Sequence, residues 1–178
     1  MRASVFIATS LDGFIARLDG SLDWLPGGDN ELPDEDHGYE AFIATVDVLV
    51  MGRHTFETVL GFGTWPYGER RVIVLSSRPF VPPATVPPTV EARSAAPADL
   101  MAALGAEGHR HAYVDGGQTI QRFLAAGLIE RIIITRVPVL LGSGIPLFGP
   151  LAADIRLELH ATRGFPSGLV QSDYLVRR

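Results

Sequence analysis

Residues 48–60 read VLVMGRHTFETVL. Val48 to Met51 is a short apolar run, β-branched at two of its four positions, and reads as a buried strand. Gly52 follows, then Arg53, His54 and Thr55, and from Thr55 the pattern is helical as far as Gly61. A glycine, two potentially cationic residues and a hydroxyl thus stand where a buried strand meets a helix.

The same alternation extends outward in both directions. Strand-like runs recur at 4–9, 46–51, 71–76, 111–114 and 131–139. Helical segments lie between them at 39–45, 55–61, 97–107 and 119–126. The third opens with Pro97 and Asp99 and is rich in Ala and Leu. The fourth is stopped by Gly127. Strand and helix alternating in this way predict an α/β fold of three layers, a mostly parallel twisted sheet flanked by helices. Two last runs, 156–162 and 169–176, follow with no helix between them. They predict an antiparallel hairpin at the C-terminal edge, with GFPSG as its turn. The proline-rich stretch RPFVPPATVPPTVEARSAAPADL, residues 78–100, reads as a surface connection within one domain spanning 1–178.

Composition narrows the function classes. The chain has 178 residues, 47% hydrophobic and 20% charged, with a formal charge of −5. That is a globular composition, and the acidic balance argues against a nucleic-acid partner. There is no cysteine, so thiolate chemistry and disulfides are absent. MRASVFIATSLDGFIA, residues 1–16, reads as a first strand and not as a signal peptide. No apolar run is long enough for a membrane span. A cytoplasmic protein is expected. There is no G-x-S-x-G elbow, no Walker lysine motif and no H-E-x-x-H among the five histidines, so no metal is expected.

In an open α/β sheet, ligands bind beyond the carboxyl ends of the strands. Those ends read MGRHT, LSSR and VDGGQT. Glycine permits close backbone approach, and the free amides of a following helix attract anions. Arg53 and Arg78 add fork-shaped donors, and Ser76, Ser77 and Thr55 add hydroxyls. Each turn alone also reads as a tight loop, Arg78 also as a solvated loop charge, and His54 as a surface cap residue without a proton-transfer role. Three such turns at successive strand ends point to a cradle for a phosphorylated ligand. The acidic group NELPDEDHGYE, residues 30–40, reads either as a solvated helix start or as the source of one proton-handling carboxylate.

The order of motifs resembles the dihydrofolate reductase-like superfamily. IATSLDGFIA, LDWL, VLVMGRHTFETV, VIVLSSRP and VDGGQTIQRFL carry the resemblance over about residues 3–150. SLDGFIA, the DGG of Asp115 to Gly117, and VPVLLGSGIPLF are similar to the C-terminal reductase domain of the riboflavin-biosynthesis deaminase-reductase. Dihydrofolate reductases typically carry three glycines where this chain has Asp115, Gly116 and Gly117. The resemblance implies an NADPH-dependent oxidoreductase acting on a small heterocycle, aminouracil-ribosyl-type or pterin-like. By position, it implies Gly52, Arg53, His54 and Thr55 on the diphosphate and adenosine side. Leu75, Ser76, Ser77 and Arg78 would hold the adenosine ribose and its 2′-phosphate. Gly116, Gly117, Gln118 and Thr119 would meet the diphosphate, and the backbones of Ala8 and Ile15 the nicotinamide. Residues 16–24 match a mobile loop, with Trp24 on the substrate side near its end.

Counting back from VMGR places Asp36 where a dihydrofolate reductase has its substrate carboxylate. Asp34, Glu35 and an ordered water are the alternative proton sources. A pocket carboxylate in that role is expected to be buried, with a raised pKa. The resemblance further implies a homodimer, an expectation to which the apolar stretch IIITRVPVLLGSGIPLF, residues 132–148, contributes; the same stretch also reads simply as a buried central strand with a glycine loop. Two other readings remain open from the residues themselves: an NADP(H)- or nucleotide-binding module without turnover, and a site for some other phosphorylated ligand.

Overall fold

Val48, Leu49, Val50 and Met51 are fully enclosed, which requires a strand with both faces covered. A computed structural model of the chain describes residues 1–26 and 36–177 and puts that strand inside an eight-stranded sheet. In chain order the elements are β1 (Arg2–Ser10), β2 (Phe14–Ala16), α1 (Tyr39–Ile43), β3 (Val48–Gly52), α2 (Arg53–Leu60), β4 (Arg71–Leu75) and β5 (Val90–Arg93). They continue as α3 (Pro97–Ala106), β6 (His111–Asp115), α4 (Gly117–Ala125), β7 (Ile129–Val137), β8 (Ile145–Pro146), β9 (Leu157–Gly164) and β10 (Val170–Val176).

The large sheet has the order β5-β4-β3-β6-β1-β7-β10-β9. Pairing is parallel from β5 to β7. It turns antiparallel where β10 meets β7 and β9. The C-terminal hairpin closes through Phe165 N–H to the Leu169 carbonyl (2.9 Å) and Gly168 N–H to the Phe165 carbonyl (2.9 Å). The mostly parallel sheet with an antiparallel C-terminal edge is the architecture the alternating pattern predicts.

Each face of the sheet has its own core. On one side Leu100 and Leu104 of α3, with Ile120 and Phe123 of α4, pack on Val5, Val50 and Val114. On the other, Phe42 of α1 with Phe56 and Val59 of α2 pack on Leu49, Met51, Val72 and Tyr113. Alternate residues of β6 therefore face opposite cores. Ala112 and Val114 point to the α3/α4 side. His111 and Tyr113 meet the Phe42 ring edge-to-face on the α1/α2 side.

Three details differ from the sequence reading. The proline-rich stretch contains β5, which pairs with β4 from Val72↔Val90 to Leu75↔Arg93. It was hidden because a four-residue edge strand buries only its first side chain. A second small sheet pairs β2 with β8, two strands too short for a periodic signal. Helices α2 and α4 begin at Arg53 and Gly117, two residues earlier than their apolar periodicity suggests, because each follows its glycine directly. For 132–148, the structure has the reading of a buried central strand followed by a glycine loop. β7 is bonded on both sides, by β1 and β10, and Ile132, Ile133 and Leu147 are buried. The exposed edge strand is β9.

Candidate functional site: a cleft at the carboxyl ends of the strands

The turns after β3 and β6 interlock. Gly116 has φ +86, the left-handed region, and a Cβ there would collide with Oγ1 of Thr55. In return, a Cβ on Gly52 would come within 3.0 Å of Thr119 Oγ1, and one on Gly117 within 2.8 Å of Ile15 Cδ1. Gly116 thus allows an approach that no side chain could, and Gly52 and Gly117 keep α2, α4 and β2 tightly packed. The backbone amides of two helix N-termini are brought to one place, which favours an anion.

A cleft of ≈ 1030 Å³ opens over these turns. Gly52, Arg53, His54 and Thr55 border it from β3–α2, and Leu75, Ser76, Ser77 and Arg78 from the end of β4. Gly116, Gly117, Gln118 and Thr119 border it from β6–α4, and Ala8 and Ile15 from β1 and β2. All the residues named from the three strand ends, and both named for the nicotinamide, therefore meet in one cleft.

Their side chains are not equally free. Arg53 donates from Nε to Glu57 Oε1 at 2.8 Å, and its guanidinium lies 5.0 Å from the centre of the Phe80 ring. Arg78 is exposed and makes no ion pair among the described residues. Ser76 donates its hydroxyl to the Arg78 carbonyl (2.6 Å) and accepts the Arg78 N–H (3.2 Å). That hydroxyl shapes the SSRP turn and is not the spare donor expected of it. Ser77 stays exposed.

Asp36 departs from expectation. It is exposed and does not border the cleft. Its Oδ1 accepts the Gly38 N–H at 3.0 Å and its Oδ2 the Glu40 N–H at 2.9 Å. These bonds hold its carboxyl below the ordinary carboxylate range, Gly38 contributing most. The expected buried carboxylate with a raised pKa is a helix-start cap instead. Asp34 and Glu35 lie outside the described residues. Trp24 does not border the cleft either. It is half-buried, with an indole N–H that has no hydrogen-bond partner among the described residues, while its neighbours Leu22 and Leu25 line the wall.

The enclosed carboxylate of the cleft is Asp115, the last residue of β6. Period two along β6 puts its side chain on the α1/α2 face with His111 and Tyr113. Burial pushes its pKa up to about 6, partly offset by the Gly116 N–H bonded to Oδ1 at 2.7 Å. Around it the tyrosines are hard to ionise. Burial, then the Asp115 charge, raise Tyr39 to about 12 and raise Tyr67 and Tyr113 further. Tyr113 donates to the Phe6 carbonyl at 2.8 Å. An acid closing a buried strand just before two glycines was the available signal for Asp115. The sequence reading noted the residue only as a departure from three glycines.

Two loops frame the opening. Asp12 of SLDG accepts Ser10 Oγ (2.6 Å) and the N–H groups of Leu141 (3.2 Å) and Gly142 (2.8 Å), so it ties the first turn to LLGSG. Arg17 makes a two-pronged pair with Asp23, Nε–Oδ1 2.6 Å and Nη2–Oδ2 3.0 Å, across the loop that carries Leu18 and Leu22 into the cleft wall. Among the described residues no group of three or more His, Asp or Glu side chains is arranged to hold a metal. No helix there is long and apolar enough to cross a membrane.

The chain matches the family model for the RibD C-terminal domain over residues 4–171. It is 35% identical over 163 residues to the uncharacterized protein YwjB of Bacillus subtilis, covering 90% of each chain. Among solved structures it is similar to a putative riboflavin biosynthesis protein from Shewanella sp. PV-4, with TM-score 0.93 and 41% identity over 100% of both chains. A diaminohydroxyphosphoribosylaminopyrimidine deaminase/5-amino-6-(5-phosphoribosylamino)uracil reductase from Thermotoga maritima shares the fold, with TM-score 0.70 and 15% identity. There 99% of this chain covers 56% of that one.

Proposed function

The chain belongs to the RibD C-terminal domain family, and on that premise we propose that it is an NADPH-dependent reductase of a small heterocycle, with a role related to riboflavin biosynthesis. The observation that carries this reading is the convergence of three anion-favouring turns on one cleft that also holds an enclosed carboxylate.

The residues present fit a dinucleotide. Gly52, Gly116 and Gly117 let Thr119, Thr55 and Ile15 close in on the turns, and the amides at the N-termini of α2 and α4 that are thereby brought together would take a diphosphate. Arg78, with Ser77, is available for a 2′-phosphate, and Arg53 on the Phe80 ring offers a flat cation beside an adenosine. Ala8 and Ile15 would border the ring. When bound, NADPH supplies the hydride.

The protein orients the reactants, excludes water and supplies a proton. Leu18 and Leu22 of the Arg17–Asp23 loop, and Leu25 just beyond it, border the cleft and would shield a bound ring from water. Asp115, with a pKa of about 6, exchanges a proton near neutral pH, which an exposed carboxylate such as Asp36 does poorly. In this reading Asp115 protonates the reduced substrate, directly or through a water.

Titrating the protein with NADPH by fluorescence tests the cofactor. Loss of NADPH absorbance on adding candidate heterocycles tests turnover. Saturable NADPH binding with no oxidation across the panel would favour a binding module without turnover.

A further inference from the structure

Strand β1 ends at Ser10 and β2 begins at Phe14, so Leu11, Asp12 and Gly13 make the turn between them. Gly13 takes φ +86 there and donates its N–H to the Ser10 carbonyl at 3.0 Å. Two backbone bonds clamp a second segment against this turn. The Leu11 N–H reaches the Val139 carbonyl at 2.8 Å, and the Leu147 N–H reaches the Gly13 carbonyl at 3.0 Å. Residues 139–147 therefore leave and return to the same short turn, carrying β8 out to pair with β2.

Asp12 joins the two segments. It is exposed, yet its Oδ1 accepts the Ser10 hydroxyl and the Leu141 N–H, and its Oδ2 accepts the Gly142 N–H. These bonds hold its carboxyl below the ordinary carboxylate range, the Ser10 hydroxyl contributing most, so the bonds are charge-assisted at neutral pH. Ser10 Oγ in turn accepts the N–H of Phe14, the first residue of β2, at 2.9 Å. One carboxylate thus sets both strands of the small sheet, β2 through Ser10 and β8 through the LLGSG turn. Ile15 of β2 and Ile145 of β8 border the cleft. A separate tie runs to α4, where Gln121 Nε2 donates to the Pro146 and Leu147 carbonyls at 3.2 and 3.1 Å. Gln121 therefore anchors the small sheet to the helix of the cradle, and Asp12 anchors it to the end of β1, the strand that carries Ala8.

Resting on the reductase reading above, in which Ala8 and Ile15 border the nicotinamide, we infer that Asp12 is a positioning residue for that ring, fixing the small sheet that carries Ile15 relative to Ala8. The phosphates of the dinucleotide are held elsewhere, on the turns after β3, β4 and β6. Removing the Asp12 carboxylate releases the LLGSG turn and the start of β2, and leaves Gly52, Gly116 and their threonine neighbours in place. The loss falls on the ring and not on the rest of the cofactor.

The test is a pair of binding titrations on the full chain, with NADPH and with 2′-phospho-ADP-ribose, the same dinucleotide without its nicotinamide ring. In the parent protein the ring should add affinity. Asp12→Ala should weaken NADPH binding about tenfold and leave 2′-phospho-ADP-ribose within about twofold, and Asp12→Asn, which keeps one acceptor oxygen, should fall between. Urea unfolding is run on each variant, and if Asp12→Ala does not fold the comparison rests on Asp12→Asn. Equal weakening of both probes by a folded variant, or no change in either, would overturn the inference. So would a parent protein that gains no affinity from the ring. Failure of both probes to bind the parent would bring down the reductase reading itself, a distinct result.

Discussion

Gly116 and Thr55 pack directly against each other: a Cβ on Gly116 would overlap Oγ1 of Thr55. The residues lie on different strand-to-helix turns, so this contact sets the spacing of the two helix N-termini that form the cradle. Gly116→Ala is expected to destabilise the protein on two counts, a left-handed φ of +86 and the collision. The strain alone is worth about 1–3 kcal/mol. Urea unfolding reads the loss directly, and NADPH affinity should fall with it. A variant unfolding within a few tenths of a kcal/mol of the parent would show that the turns do not interlock.

Arg78 is the unpaired cation at the end of β4, so cofactor preference should depend on it. NADPH is expected to bind at least roughly tenfold more tightly than NADH, since a charge-assisted bond contributes about 1.5–3 kcal/mol. Arg78→Ala should remove most of that preference and leave NADH affinity nearly unchanged. Two equal dissociation constants in the parent protein would refute the assignment.

Asp115 carries a pH signature whose sign follows from linkage. Its folded pKa of about 6 lies above the ordinary value of 3.8, so the folded protein binds the proton more tightly than the unfolded chain. Stability should therefore fall as pH rises from about 4 to about 6 and level off above, by roughly 2–3 kcal/mol from this group. Asp115→Asn should abolish that slope and stabilise the protein at neutral pH. It should also lower turnover about 10²-fold, the scale of a lost general acid. Stabilisation with undiminished turnover would make Asp115 a structural residue only.

Asp36 should behave in the opposite way. Its two backbone bonds hold the start of α1. Asp36→Ala is expected to loosen that helix modestly, while kcat and NADPH affinity stay unchanged. Because its pKa is lowered on folding, the stability it supplies is present above the ordinary carboxylate range and is lost as pH falls through the lowered value. A large drop in kcat with intact folding would restore it as the substrate carboxylate.

A homodimer remains a proposal, now with a different surface. Strand β9 is exposed along its length, and Leu157 and Leu159 stand on it. An open edge with apolar side chains is a ready pairing template. Light scattering at micromolar concentration should give twice the chain mass, and Leu159→Arg should halve it. A monomeric parent would exclude the pairing.

Much of the fold was legible because its signals are local. Val48 to Met51 is buried on both faces, so every residue in the run had to be apolar. Gly52 and Gly116 mark the strand ends in the sequence, although the close approach of Thr119 and Thr55 that requires them is tertiary. These features identified the parallel sheet, the strand ends and the residues that border the cleft. What remained hidden depends on which groups meet in space. β5 is too short and too exposed to announce itself, and exists as a strand because β4 offers it an edge. Asp36 and Asp115 are both single acids near the ends of elements; the buried strand before Asp115 and the two glycines after it are a signal for enclosure, but the surroundings of each acid are decided by residues distant in the chain. The tertiary structure separates them through solvation: Asp36 faces water and two free amides, whereas Asp115 is enclosed by Tyr113, Tyr67 and the sheet. The cost of burying charge depends on that surrounding, which no run of neighbouring residues encodes.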